Sequence, residues 1–361
     1  MEPFKPVFVK TPLEAPAGHK FVDAFSRQLK ELFFIENHEY IGKVKDEVYA
    51  TAAFKSFCDR KTNDYVLVYY PWNNHLVKTV GEKSYLTLKT NRNQDLITAK
   101  EQEKLSVYTV AVLGMSVGSN IAFVLTQAGI SQKIYLADFD ELDTTNLNRI
   151  LAGVHQVGLN KTVVAARRIY EDNPFADVHT MPEGVTIENL ESLLKDGKID
   201  CLIEEIDDTG MKVQTRLLAM KYKIPVVMAT DNGDAVVLHV ERYDLGHDKI
   251  FGSPVSYWES KKLNHLSKEE AGGIIISSMV GGPEKVDPKM MASVKRVLAK
   301  ELVSWSQLGS AAILGGVIVT VAVKRIALGE NVEKDIRTHL HPMDKLVNET
   351  HTHPSSTEKI G

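Results

Sequence analysis

Between residues 107 and 241, short apolar runs alternate with segments that carry apolar residues at helical spacing. The runs are VYTVAVLG, KIYLADFD, DVHTM, IDCLIEEID, IPVVMATD and AVVLHVERYD. Strands that alternate with helices pair in parallel, because each helix returns the chain to the same end of the sheet. The pattern predicts an α/β fold with a doubly wound, mostly parallel sheet.

Three helices are predicted between these strands. The apolar positions of SNIAFVLTQAG recur at helical spacing, and Gly129 stands where a left-handed residue would end the helix. The other two helices are LNKTVVAARRIYEDN, which stops before Pro174, and GMKVQTRLLAMKYK. A further helical region is predicted over residues 289–328.

The chain is expected to divide into three parts. Residues 1–100 combine a helical segment, FVDAFSRQLKELFF, with an aromatic strand, DYVLVYYPW, and predict a small α+β domain. Residues 101–330 contain the alternating pattern and predict the α/β domain. Residues 331–361 are polar, with HLHP and HTHP, and predict a tail whose histidines do not bind metal.

Composition narrows the class of partners and the compartment. With 43 basic and 47 acidic residues the net charge is -4, so nucleic acid is an unlikely partner. The two cysteines, Cys58 and Cys201, supply neither a disulfide framework nor a four-thiolate zinc site, which favours a reducing cytoplasm. The apolar run over residues 308–323 is shorter than the roughly 20 residues of a spanning helix, so we expect a buried helix and no membrane association.

The segment GMSVG after the first strand allows two interpretations. As G-x-S-x-G it is typical of the turn that presents the nucleophilic Ser116 of a hydrolase. As a strand-to-helix turn with Gly114 and Gly118 it is typical of a phosphate-binding loop, in which free N–H groups from Gly118 and Ser119 face the ligand. The second interpretation requires a ribose-binding carboxylate about 20 residues further on, and Asp138 ends the second strand there.

The residues after Asp138 favour phosphate chemistry over hydride transfer. Arg149 and Lys161 follow closely, and two cations behind a ribose-binding acid suit a nucleotide with several phosphate charges. The fourth strand ends with Asp207 and Asp208, and a carboxylate at that position can hold Mg²⁺. An NAD(P)-dependent oxidoreductase is the alternative, although it leaves Arg149 and Lys161 without a role.

Taken together, G-x-S-V-G-S, D-F-D-x5-N-L-N-R, V-G-x-x-K, the Asp pair and IPVVMATD resemble the ThiF/MoeB/ubiquitin-activating family over about residues 85–329. The resemblance implies a Rossmann-like adenylation domain that uses ATP and Mg²⁺ to activate a carboxylate as an acyl adenylate. It places Asp138 on the ribose, Asn146, Arg149 and Lys161 on the phosphates, and Asp207 on the magnesium.

The same resemblance implies a homodimer. The stretch KTNRNQDLITAKEQEKL is similar to a family segment whose arginine reaches the ATP of the partner subunit, and Arg92 would be that arginine. The loop is most similar to a bacterial subgroup, and the substrate is expected to be a ubiquitin-like protein, a peptide or a small acid. Thioester-forming members use a later cysteine, and none follows Cys201. We therefore expect the reaction to stop at the adenylate or to use an external nucleophile, and a catalytically silent dimerisation scaffold is a second alternative.

Overall fold

The computed structural model describes residues 3–342 except residues 262, 264 and 265. Its strands are β1 (Val7–Val9), β2 (Lys20–Asp23), β3 (Tyr65–Tyr70), β4 (His75–Val80), β5 (Val110–Leu113), β6 (Lys133–Ala137), β7 (Asp177–Met181), β8 (Cys201–Glu204), β9 (Val226–Asn232), β10 (Ala235–Glu241), β11 (Lys249–Ile250), β12 (Ser253–Pro254) and β13 (Asp335–Leu340). Its α-helices are α1 (Phe25–Glu36), α2 (Lys45–Ala50), α3 (Ala52–Lys61), α4 (Glu82–Thr90), α5 (Ala99–Val107), α6 (Val117–Gln127), α7 (Lys161–Asp172), α8 (Ile187–Lys195), α9 (Thr209–Tyr222), α10 (Val255–Glu259), α11 (Lys268–Ile274), α12 (Pro288–Leu298) and α13 (Gly309–Leu328).

A seven-stranded sheet forms the centre of the larger unit, in the order β13-β10-β9-β8-β5-β6-β7. The five strands from β9 to β7 in this order are parallel. At one edge β10 pairs antiparallel with β9, and β13 pairs antiparallel with β10. This arrangement confirms the predicted α/β fold with a mostly parallel sheet. The helix after β5 ends as predicted, with Gly129 in the left-handed conformation at φ +76°.

Both faces of this sheet are covered, as an all-apolar β5 requires. Val110 and Val112 point into a core shared with α6, α7 and α13. Ala111 and Leu113 point to the opposite face, where they meet residues of α8 and α9. Successive residues of a strand alternate between faces, so a strand buried on both sides carries no polar position.

The apolar run near the C-terminus forms α13, which packs on the sheet and on α6. By length and composition this helix is apolar enough to cross a membrane, yet 56% of its most apolar 18-residue window is buried inside the protein. Glycine permits the close packing, because a Cβ at Gly316 would lie 3.2 Å from the Asn120 carbonyl carbon. These contacts are those of a core helix, as the sequence predicts.

Two segments differ from the expectations. The helical region predicted over 289–328 is interrupted, because α12 ends at Leu298 and α13 begins at Gly309. Within the expected polar tail, residues 335–340 form β13, which pairs with β10. His339 of this strand bonds through Nε2 to the Val280 carbonyl oxygen at 2.9 Å. Residues 343–361, including the HTHP motif, lie outside the described residues.

The N-terminal unit has its own four-stranded sheet, in the order β1-β3-β4-β2, and its own aromatic core around Phe33. It docks on the end of α7. Trp72 Nε1 donates to Glu171 Oε1 at 2.7 Å, and the Tyr85 hydroxyl and the Lys89 ammonium both contact Asp172. These bonds tie the α+β unit to the larger unit through one helix.

A network of buried charges lies between β8, α9 and β10. Arg216, which is fully buried, donates to Glu204 at 2.5 Å and to Glu241 at 2.6 Å. Lys212 lies 3.0 Å from the other oxygen of Glu204. Burial acts to raise the pKa of Glu204, but the adjacent Lys212 and Arg216 charges hold it below its ordinary value. From the sequence, Lys212 is a weak candidate for a phosphate contact because it stands near the start of a helix. In the structure its ammonium group is bonded to Glu204.

We predict that Arg216→Met destabilises the protein by about 3–5 kcal/mol, because two buried carboxylates lose their hydrogen-bonded partner. Urea unfolding at neutral pH measures this difference. The matched control is Arg296→Met, since Arg296 and its partner Glu301 are both more than half exposed. Its expected effect is about 1 kcal/mol or less. Equal destabilisation by the two substitutions would contradict the structural role of the network.

Candidate nucleotide-binding site

The turn from β5 into α6 is built around two glycines. Gly114 has φ +95°, and a Cβ there would lie 2.3 Å from the Glu205 backbone oxygen. A Cβ at Gly118 would lie 2.9 Å from Val112 Cγ1. The backbone therefore passes closely over β8 before α6 begins, and only glycine fits at residue 114. This geometry directs the free N–H groups at the start of α6, including those of Gly118 and Ser119, above the sheet edge.

Asp138 lies beside this turn, immediately after β6. Its Oδ2 accepts the Met115 N–H at 2.6 Å, and its Oδ1 accepts the Asp140 N–H at 2.8 Å. Burial raises the pKa of Asp138, although both backbone bonds act to lower it. A carboxylate has about four acceptor positions, so two remain for a ligand hydroxyl. The structure thus brings together the loop and the carboxylate that the sequence predicts.

Arg149 reaches the same turn from a segment 33 residues further along the chain. Its Nε donates to Ser116 Oγ at 2.9 Å, and its Nη1 donates to Asn148 Oδ1 at 2.9 Å. Burial lowers the pKa of Arg149, while the negative charges of Asp231 and Asp207 act to raise it. The Ser116 hydroxyl therefore faces a guanidinium, not the imidazole that a hydrolase would need.

Lys161 is the first residue of α7 and is almost fully buried. Its Nζ lies 2.6 Å from Asp140 Oδ2. The side chain of Asn160 caps α7 by accepting the Thr162 N–H and donates to the Asp138 backbone oxygen at 3.0 Å. Asn160 therefore holds the start of α7 against the end of β6, which brings Lys161 to the same sheet edge.

Two predicted phosphate contacts are engaged in local bonds. Asn146 Oδ1 accepts the Asp143 N–H at 3.0 Å within the turn that precedes Arg149. Ser119 Oγ donates to the Ser116 backbone oxygen at 3.0 Å, within the first turn of α6. Both side chains shape the segments that carry the site.

The aspartate pair after β8 divides into two roles. Asp208 caps α9, because its Oδ1 accepts the Met211 N–H at 2.6 Å. Asp207 is exposed, and its charge acts on Arg149. Among the described residues no cluster of three or more His, Cys, Asp or Glu side chains is placed to hold a metal ion. A magnesium ion at Asp207, as the sequence predicts, would therefore need oxygens from a bound phosphate beside this carboxylate.

Arg92 lies away from this edge within its own chain. It is exposed in a short turn, Asn91–Asn93, where Asn93 Nδ2 contacts the Ala128 carbonyl oxygen at 3.3 Å. Ala128 is at the C-terminal end of α6, and an 11-residue helix is about 16 Å long. A role for Arg92 at the nucleotide of its own chain is inconsistent with this position, whereas a role in a second subunit remains a prediction.

The family model described as the ThiF family matches residues 88–359, which is most of the chain. The chain belongs to the ThiF family. The predicted resemblance is thereby confirmed.

Relatives of this ThiF-family chain are longer than the chain itself. An uncharacterised protein of Mycobacterium tuberculosis is 35% identical over 266 residues, which are 73% of this chain and 36% of that protein. Ubiquitin-like modifier-activating enzyme 5 of Caenorhabditis elegans is 32% identical over 161 residues, which are 42% of this chain and 38% of that enzyme. The chain thus spans little more than a third of the length of these two proteins.

Among solved structures, PaaA shares the fold of this ThiF-family chain over most of both molecules. The match has a TM-score of 0.51 with 18% sequence identity, and it covers 88% of this chain and 93% of PaaA. At 18% sequence identity, the match to PaaA shows a shared fold and nothing beyond it.

The sequence motifs did not identify Asp231, which ends the apolar segment IPVVMATD. Asp231 is 7% exposed, and Gln307 Nε2 lies 3.4 Å from its Oδ2. Its buried Oδ1 has no hydrogen-bond partner among the described residues. Burial raises the pKa of Asp231 to about 6, against the opposing effect of Arg149. The sequence did contain a signal for Asp231, because it closes an apolar, strand-like segment in the same way as Asp138 does.

Glu205 is a second carboxyl group that the sequence did not single out. Its Oε1 accepts the Ala229 N–H at 2.8 Å, which joins the end of β8 to β9. Burial raises the pKa of Glu205 well above its ordinary value, although the Lys212 charge acts to lower it. The Glu205 side chain thus bonds to β9, and its backbone oxygen occupies the space that a Cβ at Gly114 would need.

We predict that Asp231→Asn stabilises the protein above pH 6. The folded-state pKa of about 6 lies above the ordinary value of 3.8, so native stability falls as pH rises from about 4 to 6. The asparagine removes this loss, which amounts to about 3 kcal/mol. Urea unfolding between pH 4 and pH 8 measures the difference, with exposed Asp234→Asn as the control. A pH-independent difference between wild type and Asp231→Asn would contradict the assignment.

Proposed function

We propose that this chain is an ATP-dependent adenylyltransferase. In the proposed reaction, a substrate carboxylate oxygen attacks the α-phosphorus of ATP, the bond between the α-phosphorus and the bridging oxygen breaks, and pyrophosphate leaves with Mg²⁺. The products are an acyl adenylate and pyrophosphate. Catalysis of this kind depends on positioning and on charge stabilisation, which the protein supplies from fixed side chains.

The contact between Arg149 and Ser116 is the observation that carries the proposal. It brings a guanidinium to the N-terminal end of α6, so a cation and free backbone N–H groups face the same space. Both attract phosphate oxygens. The charges of Asp207 and Asp231 act on Arg149, and two carboxylates near the phosphates would repel a bare triphosphate and accept a magnesium complex.

Each remaining role in the proposal follows from a contact at this edge. Asp138 would accept the ribose hydroxyls with the acceptor positions that Met115 and Asp140 leave open. Lys161 would exchange Asp140 for a phosphate oxygen, with Asn160 keeping the start of α7 in place. Asn146 and Ser119 would contribute through the segments that they shape.

Asp207 is the proposed magnesium ligand. Both aspartates are exposed, but Asp208 caps α9, which leaves Asp207 as the carboxylate of the pair that is not used as a helix cap. Mg²⁺ keeps most of its waters and binds nucleotide sites through one or two carboxylates plus phosphates. When bound, the ion would neutralise charge that develops on the leaving pyrophosphate.

The substrate class stays open within the proposal. It is a carboxylate, either the C-terminus of a ubiquitin-like protein or peptide or a small acid such as a carbamoylated threonine on tRNA. The two thiols, Cys58 and Cys201, are unpaired, and the buried Cys201 has a pKa raised by desolvation. Cys201 is therefore unsuited to form a thioester, and a reducing cytoplasm is the proposed compartment.

We also propose a homodimer. Ile313 and Val317, one turn apart on α13, are 47% and 45% exposed. Leu151 and Val154, which follow Arg149, are 52% and 75% exposed. The start of α13 lies close to Arg149, because a Cβ at Gly309 would meet the Asn148 backbone oxygen at 2.2 Å. A second subunit on this apolar surface would cover it and would bring its own segments, including Arg92, toward the site.

We predict that Arg149→Ala and Lys161→Ala each lower ATP/pyrophosphate exchange by about 10²-fold, or about 3 kcal/mol of transition-state stabilisation. The assay uses a panel of C-terminal peptides, ubiquitin-like proteins and small acids, and Mg-ATP affinity is measured in parallel by calorimetry. Lys195→Ala, an exposed lysine on α8, is the matched control. Unimpaired exchange in both variants would remove these roles, and NADH binding without ATP binding would favour an oxidoreductase.

We predict that Ile313→Glu converts the dimer to a monomer, because the substitution places an unpaired charge inside the proposed interface. Light scattering after size-exclusion chromatography measures the mass. Ile187→Glu is the control, since Ile187 is 41% exposed on α8, on the opposite face of the sheet. A monomeric wild type, or dimers in both variants, would contradict the proposed interface.

A further inference from the structure

We propose that a cavity at the seam between the N-terminal unit and α7 binds the ammonium or guanidinium group of an organic cation. The cavity has a volume of about 380 Å³, which lies within the range of small-molecule sites. Its walls include Gln28, Tyr70, His75, Thr79, Tyr85 and Glu171. These residues lie away from Ser116, Asp138 and Arg149, so the cavity is separate from the proposed ATP site.

The two tyrosines offer ring faces and acceptor oxygens to this space. The Tyr70 hydroxyl donates to the Tyr170 carbonyl oxygen at 3.4 Å, and the Tyr85 hydroxyl donates to the Asp172 carbonyl oxygen. Each hydroxyl proton is therefore used in docking the N-terminal unit on α7. Aromatic faces attract cations, and a hydroxyl oxygen whose proton is engaged can still accept.

The polar side chains of the wall are also biased toward accepting hydrogen bonds. Thr79 Oγ1 donates to Gln28 Oε1 at 3.0 Å, so the threonine oxygen can accept from a ligand. His75 Nδ1 lies 3.0 Å from Asn73 Oδ1, which leaves Nε2 as an acceptor in the neutral imidazole. The side-chain amides of Gln28 and Asn73 keep N–H donors on this wall, and Asn73 already donates one of its two to Glu171 Oε1. The tyrosine, threonine, histidine and glutamate groups supply the larger number of acceptors.

Glu171 supplies the negative charge. Its Oε1 accepts from Trp72 Nε1 at 2.7 Å and from Asn73 Nδ2 at 3.2 Å, which fixes the carboxylate and leaves Oε2 as an acceptor. The neighbouring Asp172 is neutralised by Lys89. Arg167 stacks over the Trp72 ring and donates to the Pro3 carbonyl oxygen at 2.9 Å, so its charge is engaged beside the cavity.

A fixed carboxylate at the exposed mouth, two aromatic faces and a surplus of acceptors match a group that carries positive charge and several N–H donors. A guanidinium or an ammonium fits this chemistry, and a carboxylate or phosphate does not. The group has two possible sources, namely a free diamine or an arginine or lysine side chain of a peptide. Both present the same cation to the same wall.

The test is calorimetric titration of the whole chain with two pairs of probes at millimolar concentration. Agmatine is compared with its N-acetylated urea analogue, in which neither end of the molecule carries a charge, and a blocked tripeptide containing arginine is compared with the same peptide containing citrulline. We expect saturable binding of a cationic probe and at least about tenfold weaker binding of its neutral analogue. Preference for agmatine indicates a small-molecule source, and preference for the peptide indicates a side chain.

Two variants locate the binding. Glu171→Gln should weaken binding of the cationic probe by about tenfold, whereas the exposed control Glu103→Gln should leave it unchanged. Val77→Phe, which fills the cavity without altering a charge, should abolish binding while circular dichroism shows an intact fold. The proposal is overturned by equal affinity for cationic and neutral probes, by absence of saturable binding, or by unchanged affinity in both Glu171→Gln and Val77→Phe.

Discussion

The close approach of residue 114 to the backbone at the end of β8 is the constraint on which the candidate nucleotide site depends. The Gly114 N–H donates to the Ala137 carbonyl oxygen at 2.7 Å, and the Glu205 N–H donates to the Leu113 carbonyl oxygen at 2.7 Å. The turn is thereby held between β6 and β8, the two neighbours of β5. Because no side chain stands at residue 114, α6 can begin directly above this junction, where Asp138 binds the next N–H of the turn.

Much of this fold was accessible from the sequence because its signals are local. The parallel strands appear as apolar runs, and the helices between them appear as helical periodicity with a glycine stop. The strand β13 gave no such signal, because DIRTHL is half polar and lies at the sheet edge, next to β10. Its pairing partner is about 100 residues away, and nothing in either segment specifies the match.

The candidate site was accessible to a smaller extent. Gly114 and Asp138 follow strands directly and Asp207 comes three residues after one, so spacing alone places them at one edge. The ion pair of Lys161 with Asp140 and the burial of Asp231 depend on how loops fold over that edge. The same holds for Glu204, whose partners Lys212 and Arg216 lie on α9. Sequence shows which groups carry charge, whereas tertiary packing decides which of them meet.

The position of α7 links the two units of the molecule. The helix begins with Lys161 at the sheet edge and ends with Glu171 and Asp172 against the N-terminal unit, over a length of about 18 Å. A helix packed along its whole length transmits small displacements as a unit. The two proposed sites would thus lie at opposite ends of one helix, and any coupling between ligands bound there would be reciprocal by necessity.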